Sequence, residues 1–160
     1  MTVISDTSVL CYLALIGKLE LLKSFFGHVI LPQKVLDECL HPEAPLELRR
    51  VFSGQLPSFI AVEEPQAILP ETVSLDPGES AAISLAWQYR SESLLLIDER
   101  SGRAIAQALG LKVRGLAALV AEAHRKGQLD FDSAMEELQR HGFRLSSSLL
   151  HRFRNELHLN

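Results

Sequence analysis

The run Leu94-Leu95-Leu96-Ile97 is apolar at every position and stops at Asp98, and nothing else in the chain limits the fold as strongly. An uninterrupted apolar run of this length suits a strand buried on both faces, as in a parallel sheet covered by helices on each side. Val3-Ile4-Ser5 stops in the same way at Asp6. In such a sheet the carboxyl ends of the strands open onto a crevice, so Asp6 and Asp98 are expected to face one shared pocket.

Around these runs strand and helix signals alternate. Ser8 to Ile16 predicts a buried helix closed by Gly17, and Leu19 to Phe26 a second one. His28 to Leu31 predicts a strand, after which Pro32 opens a helix through Cys39. Pro45 to Phe52 reads as helix, Phe59 to Val62 as a short strand, and Glu63 to Leu75, with Pro65 and Pro70, as loop. Asp76-Pro77-Gly78-Glu79 starts a helix through Trp87; Glu99 to Leu109 and Gly115 to Lys126 are helical, with an edge strand at Lys112 to Arg114 between them. The result is an α/β fold, a parallel β-sheet flanked by α-helices, over residues 1–127. Residues 128–160 predict a C-terminal helical extension packed on the core or on a partner.

At 160 residues and 47% hydrophobic composition the chain fits one core. Cys11 and Cys39 have no metal-type spacing and read as small, reduced core residues. No apolar run approaches the roughly 20 residues of a membrane span, and the N-terminus lacks the pattern of a secretion signal, so a soluble, cytoplasmic protein is expected. The net charge of −4 argues against a polyanionic partner, but the charge is unevenly placed. Residues 1–99 carry 6 Lys+Arg against 14 Asp+Glu, whereas residues 100–160 carry 10 against 6. An acidic centre beside a basic flank suits a metal site acting on a nucleic acid, although solvated surfaces also show such asymmetry.

Each acidic candidate has a plainer role. Asp6 and Asp98 both sit where an N-cap would, and Asp76 with Glu79 makes a capping box. Glu38 could be solvated; it and Asp37 point about 100° apart on their helix, so at most one faces the crevice. Carboxylates crowded together repel, and a divalent cation is what allows them all to ionise. All-oxygen ligands favour Mg²⁺ or Mn²⁺, which point to metal-assisted phosphodiester hydrolysis by activated water. Ser8 would orient Asp6 or a water, and Arg100 and Arg103 could contact phosphate, ordinary salt bridging being the alternative. Trp87, Phe25 and Phe26 read as core. There is no Walker loop, no Gly-x-Gly-x-x-Gly, no His-Glu-x-x-His and no Gly-x-Ser-x-Gly elbow.

Taken in order, Ile4-Ser5-Asp6-Thr7-Ser8, Leu31-Pro32 to Asp37-Glu38, Asp76-Pro77-Gly78-Glu79, Leu96-Ile97-Asp98-Glu99-Arg100 and Val113-Arg114-Gly115 resemble the PIN-domain family, the metal-dependent ribonuclease fold of VapC-type toxins. The tail, with Gly142-Phe143-Arg144-Leu145-Ser146, resembles the C-terminal helical extension of a prokaryotic PIN-like branch. The resemblance implies an acidic cluster of Asp6, Glu38, Glu79 and Asp98, with Glu99 nearby and Ser8 as polar neighbour. Glu79 stands where many relatives carry an Asp. It also implies a homodimer and inhibition by a small antitoxin lying in the groove.

The expectation is a Mg²⁺- or Mn²⁺-dependent endoribonuclease, the toxin of a toxin–antitoxin pair. Asp6, Glu38 and Asp98 would be metal ligands, and Glu79 a ligand or an activator of water. The rivals are a PIN-fold module that binds RNA or protein without cutting, and a small-molecule phosphohydrolase. The latter lacks an obvious nucleophile and lysine set.

Overall fold

Five short strands form one sheet in the computed structural model, which describes residues 1–160. They are β1 (Thr2–Ser5), β2 (Val29–Leu31), β3 (Ile60–Val62), β4 (Ser93–Leu96) and β5 (Val113–Arg114), ordered β3-β2-β1-β4-β5 and all parallel. The chain therefore builds outward from β1 to β3, then crosses back to lay β4 on the other side of β1. That reversal is a topological switch point, and it lies between the two strands that end near Asp6 and Asp98. Thr2 to Ser5 pair with Ser93 to Leu96, and the amide of Asp6 donates to Leu96 O at 3.0 Å.

The two-residue period of a strand divides the core into two layers. Val3, Val29, Leu31, Leu94 and Leu96 face one way, into a large cluster with α1 (Thr7–Leu15), α2 (Leu21–Phe26), α3 (Gln33–Cys39), α4 (Leu46–Phe52), α7 (Leu116–Arg125) and α8 (Phe131–Arg140). Ile4, Leu95 and Ile97 face the other way, against α5 (Pro77–Tyr89) and α6 (Arg100–Ala108). This is why β4 tolerates no polar residue in its middle: each of Leu94, Leu95 and Leu96 is buried, and each full burial stabilises by roughly 1.5–3 kcal/mol.

The expected elements form with small differences. Pro32 is the N-cap of α3 rather than its first residue, and the loop from Glu63 to Leu75 holds a single 3-10 turn at Pro70–Thr72. Cys39 is buried, whereas Cys11, Trp87, Phe25 and Phe26 are half-buried and pack against the core clusters. The Arg90 guanidinium lies 5.0 Å from the Trp87 ring and Lys126 Nζ 4.8 Å from Phe25, so these rings act as seats for surface cations. After α7, α8 packs on it through Phe131, Met135 and Leu138, and α9 (Ser147–Glu156) has no fully buried residue.

Candidate active site

At the carboxyl end of the sheet, beside the switch point, lies a cleft of about 370 Å³ lined by Asp6, Thr7, Ser8, Cys11, Tyr12, Glu38, Asp76, Glu79 and Glu99. A larger cavity of about 530 Å³ lies toward the other end of α5, around Trp87 and Tyr89, with Glu63 as its one acidic residue. The acidic groups thus converge on the smaller cavity.

Asp6 follows β1 directly and is 1% exposed. Its Oδ1 accepts the Val9 amide at 3.2 Å and its Oδ2 the Ser8 hydroxyl at 3.1 Å. It is therefore the N-cap of α1 and part of the cleft wall at once. Burial pushes its carboxyl up to about 7; the Val9 and Ser8 hydrogen bonds oppose this, while Asp98 and Asp76 add like charge.

Glu38 projects from α3 into the cleft, accepting the Thr7 hydroxyl on one oxygen and the Gly78 amide at 2.9 Å on the other. Asp37 is exposed and takes the Gln33 side chain instead, so of this adjacent pair only Glu38 faces the site. Burial raises the Glu38 carboxyl, against the Thr7 hydrogen bond.

Glu79 settles the question of the capping box. Asp76 accepts the Glu79 amide at 2.9 Å, but the Glu79 side chain does not return to the Asp76 backbone amide, and its Oε1 is buried with no hydrogen-bond partner. Burial first, then the neighbouring Asp76, Asp6 and Glu99, hold its carboxyl far above the ordinary range. An orphaned buried carboxyl oxygen costs free energy that a cap alone does not explain.

Asp98 is not the cap of α6. Glu99 occupies that position, without a side-chain hydrogen bond, and itself lines the cleft. Asp98 reaches forward instead and accepts the Leu116 amide at 3.1 Å, tying the end of β4 to the start of α7. It does not itself line the cleft, so it does not share one pocket wall with Asp6, and it bears on Asp6 through like charge. Burial raises Asp98 itself, against the Leu116 amide and Arg103. Arg103 lies beside Asp98 over Gly115, while Arg100 is exposed.

Sequence reasoning did not single out Thr7, Cys11, Tyr12 or Asp76 as parts of the wall. A signal existed for Tyr12, which lies four residues after Ser8 and so on the same face of α1. Three glycines were missed as well. A Cβ on Gly78 would meet the Glu38 carboxylate, one on Gly102 would stand 2.7 Å from Glu79 Oε1, and one on Gly115 would stand 2.9 Å from Asp98 Oδ1. Each of these carboxylates is seated on a residue without a side chain.

A parallel sheet with an acidic cleft at its switch point, formed by residues from both halves of the chain, is now defined, and a family model described as a PIN domain (DUF3368) matches residues 2–158. The chain belongs to the PIN-domain family. No curated protein and no solved structure matches it. PIN domains are in general metal-dependent nucleases, and this PIN domain carries the nuclease-type fold. No helix is long and apolar enough to cross a membrane.

The donors suit a hard divalent cation: they are carboxylate oxygens, all held toward protonation by burial and one another, and Glu79 Oε1 lacks any partner. As the side chains stand, no three His, Cys, Asp or Glu groups are gathered into a ready metal site. Asp6, Glu38 and Asp98 each engage a backbone amide, yet a carboxylate offers about four acceptor positions and keeps capacity beyond such a bond.

Proposed function

We propose that this PIN domain is a Mg²⁺- or Mn²⁺-dependent endoribonuclease acting in the cytoplasm, the toxin of a toxin–antitoxin pair. The observation that carries the reading is Glu79 Oε1, buried and unpartnered among carboxyl groups that cannot all ionise without a cation. Asp6, Glu38 and Asp98 would hold the ion, with Glu79 as a further ligand or as the acceptor of a proton from water. A divalent ion in such a cleft neutralises charge on phosphate oxygens and makes water acidic enough to attack in line.

The chain's own groups do the rest. Ser8 Oγ fixes the Asp6 carboxylate, Thr7 Oγ1 and the Gly78 amide fix Glu38, and the Leu116 amide fixes Asp98. With three carboxylates held by neighbours, Glu79 Oε1 is the oxygen left free to take up a proton at neutral pH once positive charge draws its pKa down. Arg100 and Arg103 supply positive charge after Asp98 for the phosphates, and Glu99 lines the opening. In this reading residues 1–127 form the nuclease unit, residues 128–160 a helical extension on it, and the functional form is a homodimer restrained by a small antitoxin.

RNA cleavage with and without Mn²⁺, comparing the wild type with Asp6→Asn, tests the activity. Equal cleavage by both would remove the assignment. Growth arrest on expression, relieved by a neighbour-encoded small protein that co-purifies, tests the toxin role; its absence would leave a nuclease without that role.

A second reading, a PIN domain that binds RNA without cutting, is favoured by the lack of a ready three-ligand arrangement. Calorimetric titration separates the two. A cutting enzyme takes up a divalent ion in a way that Asp98→Asn abolishes, and a degenerate one shows no such heat.

A further inference from the structure

Tyr12 and Cys11 are the only residues lining the cleft that bring neither an acid nor an aliphatic hydroxyl to it. A nucleic-acid strand entering the cleft meets carboxyl groups on five of its nine lining residues and aliphatic hydroxyls on two more. The one large uncharged surface it meets is the ring of Tyr12, and stacking of a base on an aromatic side chain is worth about tenfold or more in affinity. Tyr12 is half-buried, and no protein group hydrogen-bonds its hydroxyl.

The Tyr12 ring packs against a second one. Phe143, 4% exposed, meets it edge to face with centroids 5.3 Å apart and an interplanar angle of 69°. Phe143 belongs to the connection between α8 and α9, and its inward turn is built locally. Gly142, at φ 94°, ends α8 in the left-handed region, and the amides of Gly142 and Phe143 return to Gln139 O and Leu138 O, both at 3.0 Å. The Gly142-Phe143 step noted in the sequence thus drives one side chain of the extension against the wall of the cleft.

We propose that Tyr12 stacks on a nucleobase of the RNA beside the scissile phosphate, and that Phe143 is the positioning residue that holds the ring in place. The proposal rests on the nuclease reading for the identity of the strand. It makes the C-terminal extension part of substrate binding.

The chain has two tyrosines, Tyr12 and Tyr89, and Tyr89 lines the other cavity. Protein labelled with 3-fluorotyrosine therefore gives one ¹⁹F reporter in the cleft and one internal control. Addition of a 2′-O-methyl RNA oligonucleotide, which resists cleavage, is expected to shift the Tyr12 resonance and leave that of Tyr89 in place. By fluorescence anisotropy with the same RNA, Tyr12→Leu is expected to bind about tenfold more weakly, whereas Tyr12→Phe and Tyr12→Trp retain affinity. Phe143→Leu is expected to raise KM on a cleavable RNA with kcat little changed. An unmoved Tyr12 resonance, or unchanged binding by Tyr12→Leu, overturns the proposal; should Tyr12→Leu fail to fold, weak binding by folded Tyr12→Phe and Tyr12→Trp overturns it equally. Full RNA cleavage by Asp6→Asn would instead remove the nuclease reading while leaving the stacking measurable.

Discussion

Glu38 rests directly over Gly78: its Oε2 accepts the Gly78 amide at 2.9 Å, and a methyl group on Gly78 would stand 2.4 Å from both carboxylate oxygens. The atoms displaced by such a methyl are the far end of a flexible side chain, not backbone, and Gly78 lies in the first turn of α5, where alanine favours the helix. Gly78→Ala is therefore expected to keep or raise Tm while lowering RNA cleavage by about tenfold or more, because Glu38 is pushed off its seat. Thermal melting beside initial rates checks it; lost stability with full residual specific activity would contradict the arrangement.

Asp6 gives the stability of the metal-free protein a defined pH trend. Its folded carboxyl titrates near 7 and the unfolded one near 3.8, so the folded state holds the proton more tightly. Between those values the unfolded chain ionises first, and stability falls as pH rises. Melting in EDTA should thus show Tm declining from pH 5 to pH 8. Asp6→Asn keeps a capping side chain and removes the titration, so at pH 8 it is expected to be more stable than the wild type by on the order of 2–4 kcal/mol, and inactive. A flat wild-type profile in EDTA would refute this.

Divalent cation should reverse the same trend. Ligand present at about 100 times its Kd stabilises a folded protein by roughly 2.7 kcal/mol, so Mn²⁺ is expected to raise Tm by several degrees, more at pH 8 than at pH 6, where protons compete. Asp98→Asn and Glu79→Gln should each shrink the shift. Glu79→Gln should also melt higher than the wild type in EDTA, since it removes a buried acid held toward protonation. A Tm shift of the same size in both variants would place the ion elsewhere.

Phe131, fully buried at the start of α8, ties the extension to the sheet-facing core. Phe131→Ala is expected to cost about 3–5 kcal/mol, read as a lower urea midpoint with an unchanged slope. Two separate unfolding transitions would show instead that the extension folds apart from the rest.

Much of this fold was legible because two-residue and helical periods are strong in the chain. Leu94 to Ile97 could only be an interior strand, and Gly17, Pro32 and Pro77 marked helix ends within a residue or so of their places. The placement of Asp6 and Asp98 after β1 and β4 was legible too, through the common geometry of strand ends. What stayed hidden was where each carboxylate points. Asp98 looked like a cap for its own helix but reaches the amide of Leu116, eighteen residues on, a partner that only the sheet order brings near. Gly78 and Gly115 stood within the motifs, but nothing marked them or Gly102 as seats for a carboxylate, since the space a glycine leaves is defined by side chains distant in sequence. Cys11 and Tyr12 were absorbed into an apolar pattern that cannot tell a core face from the wall of a cleft.

The crossing from β3 back to β4 has a consequence for synthesis. While the first ninety or so residues emerge from the ribosome, β1 has a neighbour on one side alone, because its other partner is β4. Its open edge can be closed only when Ser93 to Leu96 arrive, and Asp98 and the Leu116 amide that anchors it come later still. At about 5–20 residues per second, the nascent chain passes roughly one to four seconds with Asp6, Glu38 and Glu79 made but Asp98 still missing. If the proposed nuclease reading holds, its acidic cleft is completed only after Leu116, about three-quarters of the way along the chain, has been made.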